Sequence, residues 1–350
     1  METISFARGV PAPECLPVEE LADCARAALE RDGRTILSYG PSSGYRPLRE
    51  WIAERHRTDP ERVLLSNGSL QGFVFLAQRL APGRRVFVER PTYDRPLKIL
   101  RELGADVVAL PMDEEGLDPE ALEGALATGE PPAFLYTIPT FQNPSGRTLS
   151  IERRRRLVDL AVEHDLLVLE DDPYGLVRFE GEEPPSLYEL SEGRVAYSSS
   201  FSKTIAPGIR VGYFILPHEL ERELEATATA TYITPALLGQ ATVHEFVSRG
   251  RFETNLVRVR GLLRGRRDAM LEALERELPT AQWSRPEGGY FLWLELPTPV
   301  DSAELGGVTF VRGVDFGAGP NEVRLAYSFV SPDEIRTGVE RLAAALPIAV

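Results

Sequence analysis

The chemically capable side chains of this chain fall in short stretches that follow apolar runs. Ser200-Phe201-Ser202-Lys203-Thr204 leads into Ala206-Pro207-Gly208-Ile209-Arg210. A loop lysine is ordinarily a solvated charge. Buried beside a cation, its amine pKa falls and it becomes a nucleophile, and here an arginine stands seven residues on. Ser200, Ser202 and Arg210 make a plausible phosphate clamp, with the arginine supplying a planar fork. Asn67-Gly68-Ser69-Leu70-Gln71 opens a helix. Free N–H groups at a helix start bind phosphate. Gly68 lets the backbone come close, and Ser69 adds a hydroxyl. By itself the stretch is equally an ordinary strand-to-helix turn.

Glu170-Asp171-Asp172-Pro173-Tyr174 ends another apolar run. Carboxylates there are solvated, hold a metal, or pair with a protonated ring nitrogen. A metal needs further carboxylate or histidine ligands, and none is apparent, so no metal site is expected. Tyr174, three residues after Asp171, can hydrogen-bond an oxygen on the same ring. Phe141-Gln142-Asn143-Pro144-Ser145-Gly146 has the composition of a tight turn, from which Asn143 can donate its amide to a ring oxygen. Tyr93, in Arg90-Pro91-Thr92-Tyr93, can stack on a flat cofactor or serve as a core aromatic.

Each stretch follows a buried-strand pattern. Val63–Ser66, Arg85–Glu89, Asp106–Ala109, Phe134–Ile138, Leu166–Glu170, Val195–Ser199 and Val211–Leu216 read as strands. Amphipathic segments Leu70–Leu80, Pro96–Leu103 and Ile151–His164 alternate with them. That order predicts an α/β fold: a mainly parallel seven-stranded sheet flanked by helices, with ligands at the carboxyl ends of the strands. After Pro235 the pattern changes to long helices, Pro235–Val247 and Phe252–Leu278, then strands at Gly288–Trp293 and Val323–Tyr327. Ser331-Pro332-Asp333-Glu334 opens a last helix with an N-cap, a proline at the first position and a capping box. The expected organisation is an arm over 1–45 with one helix, Val18–Glu30, packing with the small domain, a large domain over 46–249, and a smaller α+β domain over 250–350.

The net charge of −14 disfavours nucleic acid and anionic lipid as partners, so a bound anion requires a local basic site. Cys15 and Cys24 read as small hydrophobes in a reducing compartment. No apolar run reaches ~18 residues, and the N-terminus lacks a basic-then-apolar leader, so no membrane association and a cytoplasmic location are expected. His56, His164, His218 and His244 show no ligand spacing, and the Arg153–Arg156 and Arg258–Arg267 clusters read as solvated or interdomain faces.

Taken together, Asn143-Pro144-Ser145-Gly146, Asp171-Asp172-Pro173-Tyr174 and Ser200-Phe201-Ser202-Lys203 with Gly208-Ile209-Arg210 resemble the signature of fold-type I, class I/II aminotransferases. The α-aminoadipate/kynurenine subgroup, with the related effector domains of aminotransferase-like regulators, is nearest. Ser5-Phe6-Ala7-Arg8-Gly9-Val10-Pro11, Tyr39-Gly40-Pro41, Gly44-Tyr45, Leu48-Arg49 and Gly288–Trp293 add to the resemblance, which runs from about residue 4 to 345. It implies pyridoxal 5′-phosphate held covalently by Lys203. Asp171 would pair with the pyridine nitrogen, Tyr174 and Asn143 with the ring hydroxyl oxygen, and Tyr93 would stack on the ring. The amides of Gly68, Ser69 and Leu70, with Ser200, Ser202 and Arg210, would bind the phosphate. Tyr39 matches a tyrosine that reaches the phosphate from a partner subunit, which implies a homodimer. Arg324 would grip the substrate α-carboxylate beside Asn143 and Gly9, and Arg8 is a candidate for a side-chain carboxylate.

The resemblance also implies the reaction: an amino group passes from an L-amino acid to a 2-oxo acid by a ping-pong mechanism. Acidic, aromatic and branched donors are all compatible with the subgroup. Two other readings share the same residues, a C–S β-eliminating lyase and a non-catalytic, cofactor-binding sensor. A regulator fusion of the latter kind needs ~60 further N-terminal residues, whereas the arm pattern starts at residue 4. The chain departs from the family in three places. Only Pro297–Gly307 spans a gap usually filled by a helix, Arg312-Gly313 stands where Pro-Gly is common, and Arg8 occupies a frequent glycine position.

Overall fold

The computed structural model describes residues 3–346, so the ends of the expected arm and small domain, 1–2 and 347–350, lie outside the described residues. The arm gives β1 (Ile4–Ser5). The central sheet is built from β2 (Val63–Ser66), β3 (Arg85–Arg90), β4 (Asp106–Asp113), β5 (Gly116–Leu117), β6 (Phe134–Thr137), β7 (Val168–Asp171), β8 (Ala196–Ser200) and β9 (Gly212–Ile215). The C-terminal part adds β10 (Gln282–Trp283), β11 (Phe291–Glu295), β12 (Glu304–Leu305), β13 (Val308–Thr309), β14 (Val311–Arg312) and β15 (Glu322–Ala326).

The central order is β2-β9-β8-β7-β6-β3-β4-β5. Strands β8, β7, β6, β3 and β4 pair in parallel, and β9 lies antiparallel between β2 and β8. All seven expected strands are present, each within a few residues of its sequence pattern. The eighth, β5, is a two-residue return onto the end of β4, which extends past Ala109 to Asp113. Apolar side chains cover both faces of β2, β3 and β6 to β9, so these strands lack the alternation of a half-exposed sheet, while β4 is mostly exposed. The consequence for the site is directional: the ends at Ser66, Arg90, Thr137, Asp171 and Ser200 all open on one edge.

In the C-terminal part, β10-β11-β15-β14 form an antiparallel sheet against the helices Arg251–Glu277 and Pro332–Ala345. The last helix carries the expected capping box between Ser331 and Glu334. Where a helix was expected to be missing, Glu304–Thr309 forms a tight hairpin, β12 against β13. Gly306 and Gly307 turn it at φ +61 and +74, the positive values that a two-residue turn demands. β1 adds in parallel to β13.

The arm divides, which corrects part of the sequence reading. Ile4, Phe6, Ala12 and Cys15 pack with the small domain. The helix instead runs Val18–Ile36 and buries Cys24, Ala28 and Ile36 against the large-domain cluster. Its apolar stripe matches that surface, so only the first half of the arm belongs to the small domain.

Candidate active site

At one corner, β9 begins at Gly212, which pairs with both Ser66 of β2 and Ser200 of β8. A Cβ on Gly212 would collide with the Ser69 backbone, and a Cβ on Gly68 would collide with the Arg210 guanidinium. Gly68 also holds φ +94 as the N-cap of helix Ser69–Leu80, a conformation suited to glycine. Two glycines thus let three segments close on one point, where the helix presents its first N–H groups. Ser200 Oγ donates to Ser202 Oγ (2.9 Å) and accepts from Ser202 N (3.1 Å). Arg210 donates to Ser202 Oγ (3.4 Å), Pro207 O (3.0 Å) and Asn67 O (3.0 Å). These are all neutral oxygens, so the cation remains available to an anion.

In the middle, Asp171 ends β7. Its Oδ2 accepts from Tyr136 (2.7 Å), while Oδ1 is buried without a partner. Burial chiefly pushes its pKa up to about 6, against hydrogen bonds from Tyr136 and Ser198. A buried, half-satisfied carboxylate is costly unless a ligand supplies the missing donor. Lys203 Nζ donates to Gly9 O (2.7 Å) and lies 5.1 Å from the Tyr290 ring and 5.7 Å from the Tyr174 ring. Burial first, then the charges of Arg324 and Arg210, pull its amine down to about 8. Tyr290 Oη donates to the Lys203 carbonyl (2.9 Å) and fixes the backbone from which the amine projects.

At the far end, Arg324 of β15 is 7% exposed. It donates to Asn143 Oδ1 and to Ala7 O, both at 2.9 Å, and its Nε is buried without a partner. The guanidinium lies 4.2 Å from the Phe291 ring and 5.0 Å from the Phe316 ring. Among the described residues it makes no carboxylate pair, and this buried planar fork lines the cleft. Gly9 fits because a Cβ would strike the Phe291 ring. Arg8 turns the other way. It is exposed, with its guanidinium 4.1 Å above Phe329, and it does not join the cleft. Tyr39 is 80% exposed on the surface.

Gly68, Ser69, Leu70, Tyr93, Asn143, Asp171, Tyr174, Ser200, Ser202, Lys203 and Arg210 line a single cavity of about 210 Å³. Through Tyr93, Asn143, Tyr174 and Lys203 it opens into a cleft of about 910 Å³ that reaches Ala7, Gly9 and Arg324. The arrangement suits a flat ring with an anionic tail at Arg210, a protonated nitrogen at Asp171 Oδ1 and an electrophilic carbon near Lys203. Pyridoxal phosphate has those features. Tyr136, Gln142, Tyr290, Phe291 and Phe316 were not assigned roles from sequence. Gln142, Tyr290 and Phe291 lie in stretches singled out by sequence, Phe141–Gly146 and Gly288–Trp293, and Tyr136 in the strand pattern Phe134–Ile138, whereas Phe316 carries no signal. Among the described residues, no group of three or more His, Cys, Asp or Glu could hold a metal ion.

The chain matches the family model for aminotransferase class I and II over residues 12–342. It is 40% identical to a 2-aminoadipate transaminase of Thermus thermophilus, covering 98% of this chain and 90% of the relative. It is 35% identical to aromatic-amino-acid aminotransferase 1 of Thermococcus litoralis, covering 98% and 87%. A solved α-aminoadipate aminotransferase from Thermus thermophilus, complexed with N-(5′-phosphopyridoxyl)-L-leucine, superposes with a TM-score of 0.93 at 38% identity, covering 98% of this chain and 92% of that chain.

Proposed function

The chain belongs to the class I and II aminotransferases and is a pyridoxal-phosphate-dependent enzyme of amino-group transfer, and from that premise we propose that Lys203 carries the cofactor. The observation that bears most weight is one cavity lined by Lys203, Asp171 and Arg210 together. Bound there, pyridoxal phosphate supplies an aldehyde for the amino group and a protonated ring that draws electron density from the amino acid's Cα. Asp171 keeps the proton on the ring nitrogen through its free Oδ1. Tyr174 and Asn143 bind the ring hydroxyl oxygen, Asn143 through the amide left free by the Oδ1–Arg324 bond. Tyr93 stacks on the ring. The N–H groups of Gly68, Ser69 and Leu70, with Ser200, Ser202 and Arg210, hold the phosphate.

Arg324 takes the α-carboxylate of an amino or 2-oxo acid, using its unpartnered Nε and releasing Ala7 O. Lys203 Nζ then removes the Cα proton and returns it on the other side of the transfer. An amine brought down to about 8 holds a useful neutral fraction near neutrality. Donor and acceptor use one site in turn, which gives ping-pong kinetics.

A homodimer belongs to this reading. Tyr39 and Leu37 are 80% and 70% exposed, beside Gly40, which packs against Leu237. A second copy covering them would bring Tyr39 to the phosphate. The division into a large domain (46–249) and a small domain (250–350) is supported by apolar clusters built on the central sheet and its helices and by one built mainly on the C-terminal sheet, with the arm (1–45) shared between clusters. A cytoplasmic location is supported by two free, buried cysteines and by the lack, among the described residues, of any helix long and apolar enough to cross a membrane.

The test is turnover with a panel of L-amino acids and 2-oxoglutarate. A new amino acid should form in step with a new 2-oxo acid. Pyruvate and ammonia alone would favour elimination, and bound cofactor without turnover would favour a sensor. Lys203→Ala should lose the bound-cofactor band near ~420 nm and at least ~10³-fold in rate. Full retention of both would exclude Lys203 as the carrier.

A further inference from the structure

Gln142 and Glu89 are almost fully buried, at 1% and 2% exposed, and touch neither cavity. Glu89 lies near the end of β3 and reaches across to the end of β6. It accepts from Thr137 Oγ1 at 2.5 Å, from Ile138 N at 3.2 Å and from Gln142 Nε2 at 3.0 Å. Gln142 Nε2 also donates to Pro91 O at 2.8 Å, and Gln142 Oε1 accepts from Ser145 N at 2.8 Å. One amide therefore ties two loops together. The loop after β3 carries Tyr93, two residues beyond Pro91. The turn after β6 carries Asn143, next to Gln142, and Asn143 in turn receives Arg324 at 2.9 Å.

We propose that Gln142, anchored on Glu89, is a positioning residue that sets the spacing between the Tyr93 ring and the Asn143 amide, and through Asn143 the aim of Arg324. This rests on reading the cavity as the cofactor site. Tyr93 and Asn143 face the cavity from separate loops; the β3–β6 pairing sets the strands beneath them, and Gln142 Nε2 bonds directly from one loop to the other at Pro91 O. Among the described residues Glu89 meets no cation; burial pushes its carboxyl pKa up, against the hydrogen bonds of Thr137, Gln142 and Ile138. Its contribution is to accept hydrogen bonds, which fixes the orientation of the Gln142 amide: nitrogen toward Glu89 and Pro91, oxygen toward Ser145. A flat ring slides into a slot whose width this pair holds constant, while the phosphate corner lies on other strands.

The proposal is tested with the full-length holoenzyme. Gln142→Leu, close in volume, should raise the cofactor dissociation constant by roughly tenfold. It should also change the visible circular dichroism of the bound cofactor and raise KM for amino acids more than it lowers kcat. Gln142→Glu sets one acceptor against another. The exchanged pair Gln142→Glu with Glu89→Gln restores that bond and the Ser145 contact and leaves one oxygen at position 89 for Thr137 Oγ1 and Ile138 N, while the Pro91 bond is replaced by an oxygen facing that carbonyl; it should recover part of the dichroism and affinity lost in Gln142→Glu. Such recovery is a coupling that distant, independent sites do not show. If Gln142→Leu does not fold, Gln142→Asn, one methylene too short for both loops, is judged by the same readouts. Lower thermal stability with parental dichroism, cofactor affinity and KM would overturn the proposal and leave only a structural role. The parent protein, run alongside, separates the two readings: without a cofactor band there, the cofactor assignment itself fails.

Discussion

The two ends of the cavity are built by different means. The corner proposed for the phosphate comes from one sheet. Ser66, Ser200 and Gly212 are cross-strand partners, and the clamp residues lie within two short stretches, 67–71 and 200–210. The carboxylate end takes Arg324 from β15, Ala7 and Gly9 from the arm, and Asn143 from the turn after β6. The first end is fixed by strand register, and the second by how the arm and the small domain dock. An end built from register should hold its shape in the free protein, whereas an end built from docking should respond to substrate. The hydrogen bonds agree with this. Arg210 is bonded to its own corner, while Arg324 spends one donor on an arm carbonyl that a carboxylate would displace.

The sharpest way to break this comparison is to remove the two arginines separately. Arg324→Leu takes away a two-pronged, charge-assisted grip, worth on the order of 3–4 kcal/mol, so kcat/KM should fall by ~10²–10³-fold. Cofactor affinity, measured by equilibrium dialysis, should change little. Arg210→Ala should do the reverse: the cofactor dissociation constant rises by roughly 10–100-fold, and excess cofactor restores most of the activity. If Arg324→Leu instead shed cofactor, or Arg210→Ala stayed impaired at saturating cofactor, the ends would not be separable.

The same contrast explains what the sequence revealed. Buried parallel strands leave continuous apolar runs, so the seven long strands were legible, and with them the loops at their ends. The phosphate residues lie close together along the chain, so chemistry and spacing agreed. Arg324 was legible only through a family resemblance, because its neighbours lie about 180 and 320 residues away. Arg8 shows the limit. The carbonyls of Ala7 and Gly9 receive Arg324 and Lys203, while the Arg8 guanidinium lies over Phe329. How the arm is laid down depends on the pairing of Ile4 with Val308, 304 residues on. Helices Arg46–His56 and His218–Tyr232 went unread for a simpler reason. The first opens with Arg-Pro and buries Arg49, and the second carries threonines at 227, 229 and 231, so neither shows a clean apolar stripe.

The smallest expected effect tests whether the ends communicate at all. In the proposed role of Lys203, an amine attacks an aldehyde only in its neutral form. Its pKa is brought from 10.5 to about 8, by burial first and then by Arg324 and Arg210. A lowered amine pKa moves the neutral form to lower pH. The rate of cofactor capture by the free protein should therefore climb through about pH 8 and flatten above it, rather than climb on to the ordinary lysine range. Arg324→Leu removes one of the two charges, so the midpoint should move upward, by less than about one unit because burial remains. Stopped-flow capture rates from pH 6.5 to 10, at fixed ionic strength, read this directly. An upward shift places the charge of the carboxylate end at the amine. A midpoint that stays put, or falls, would mean that the charge of Arg324 does not act on the amine and that the two ends are independent sites on one cavity.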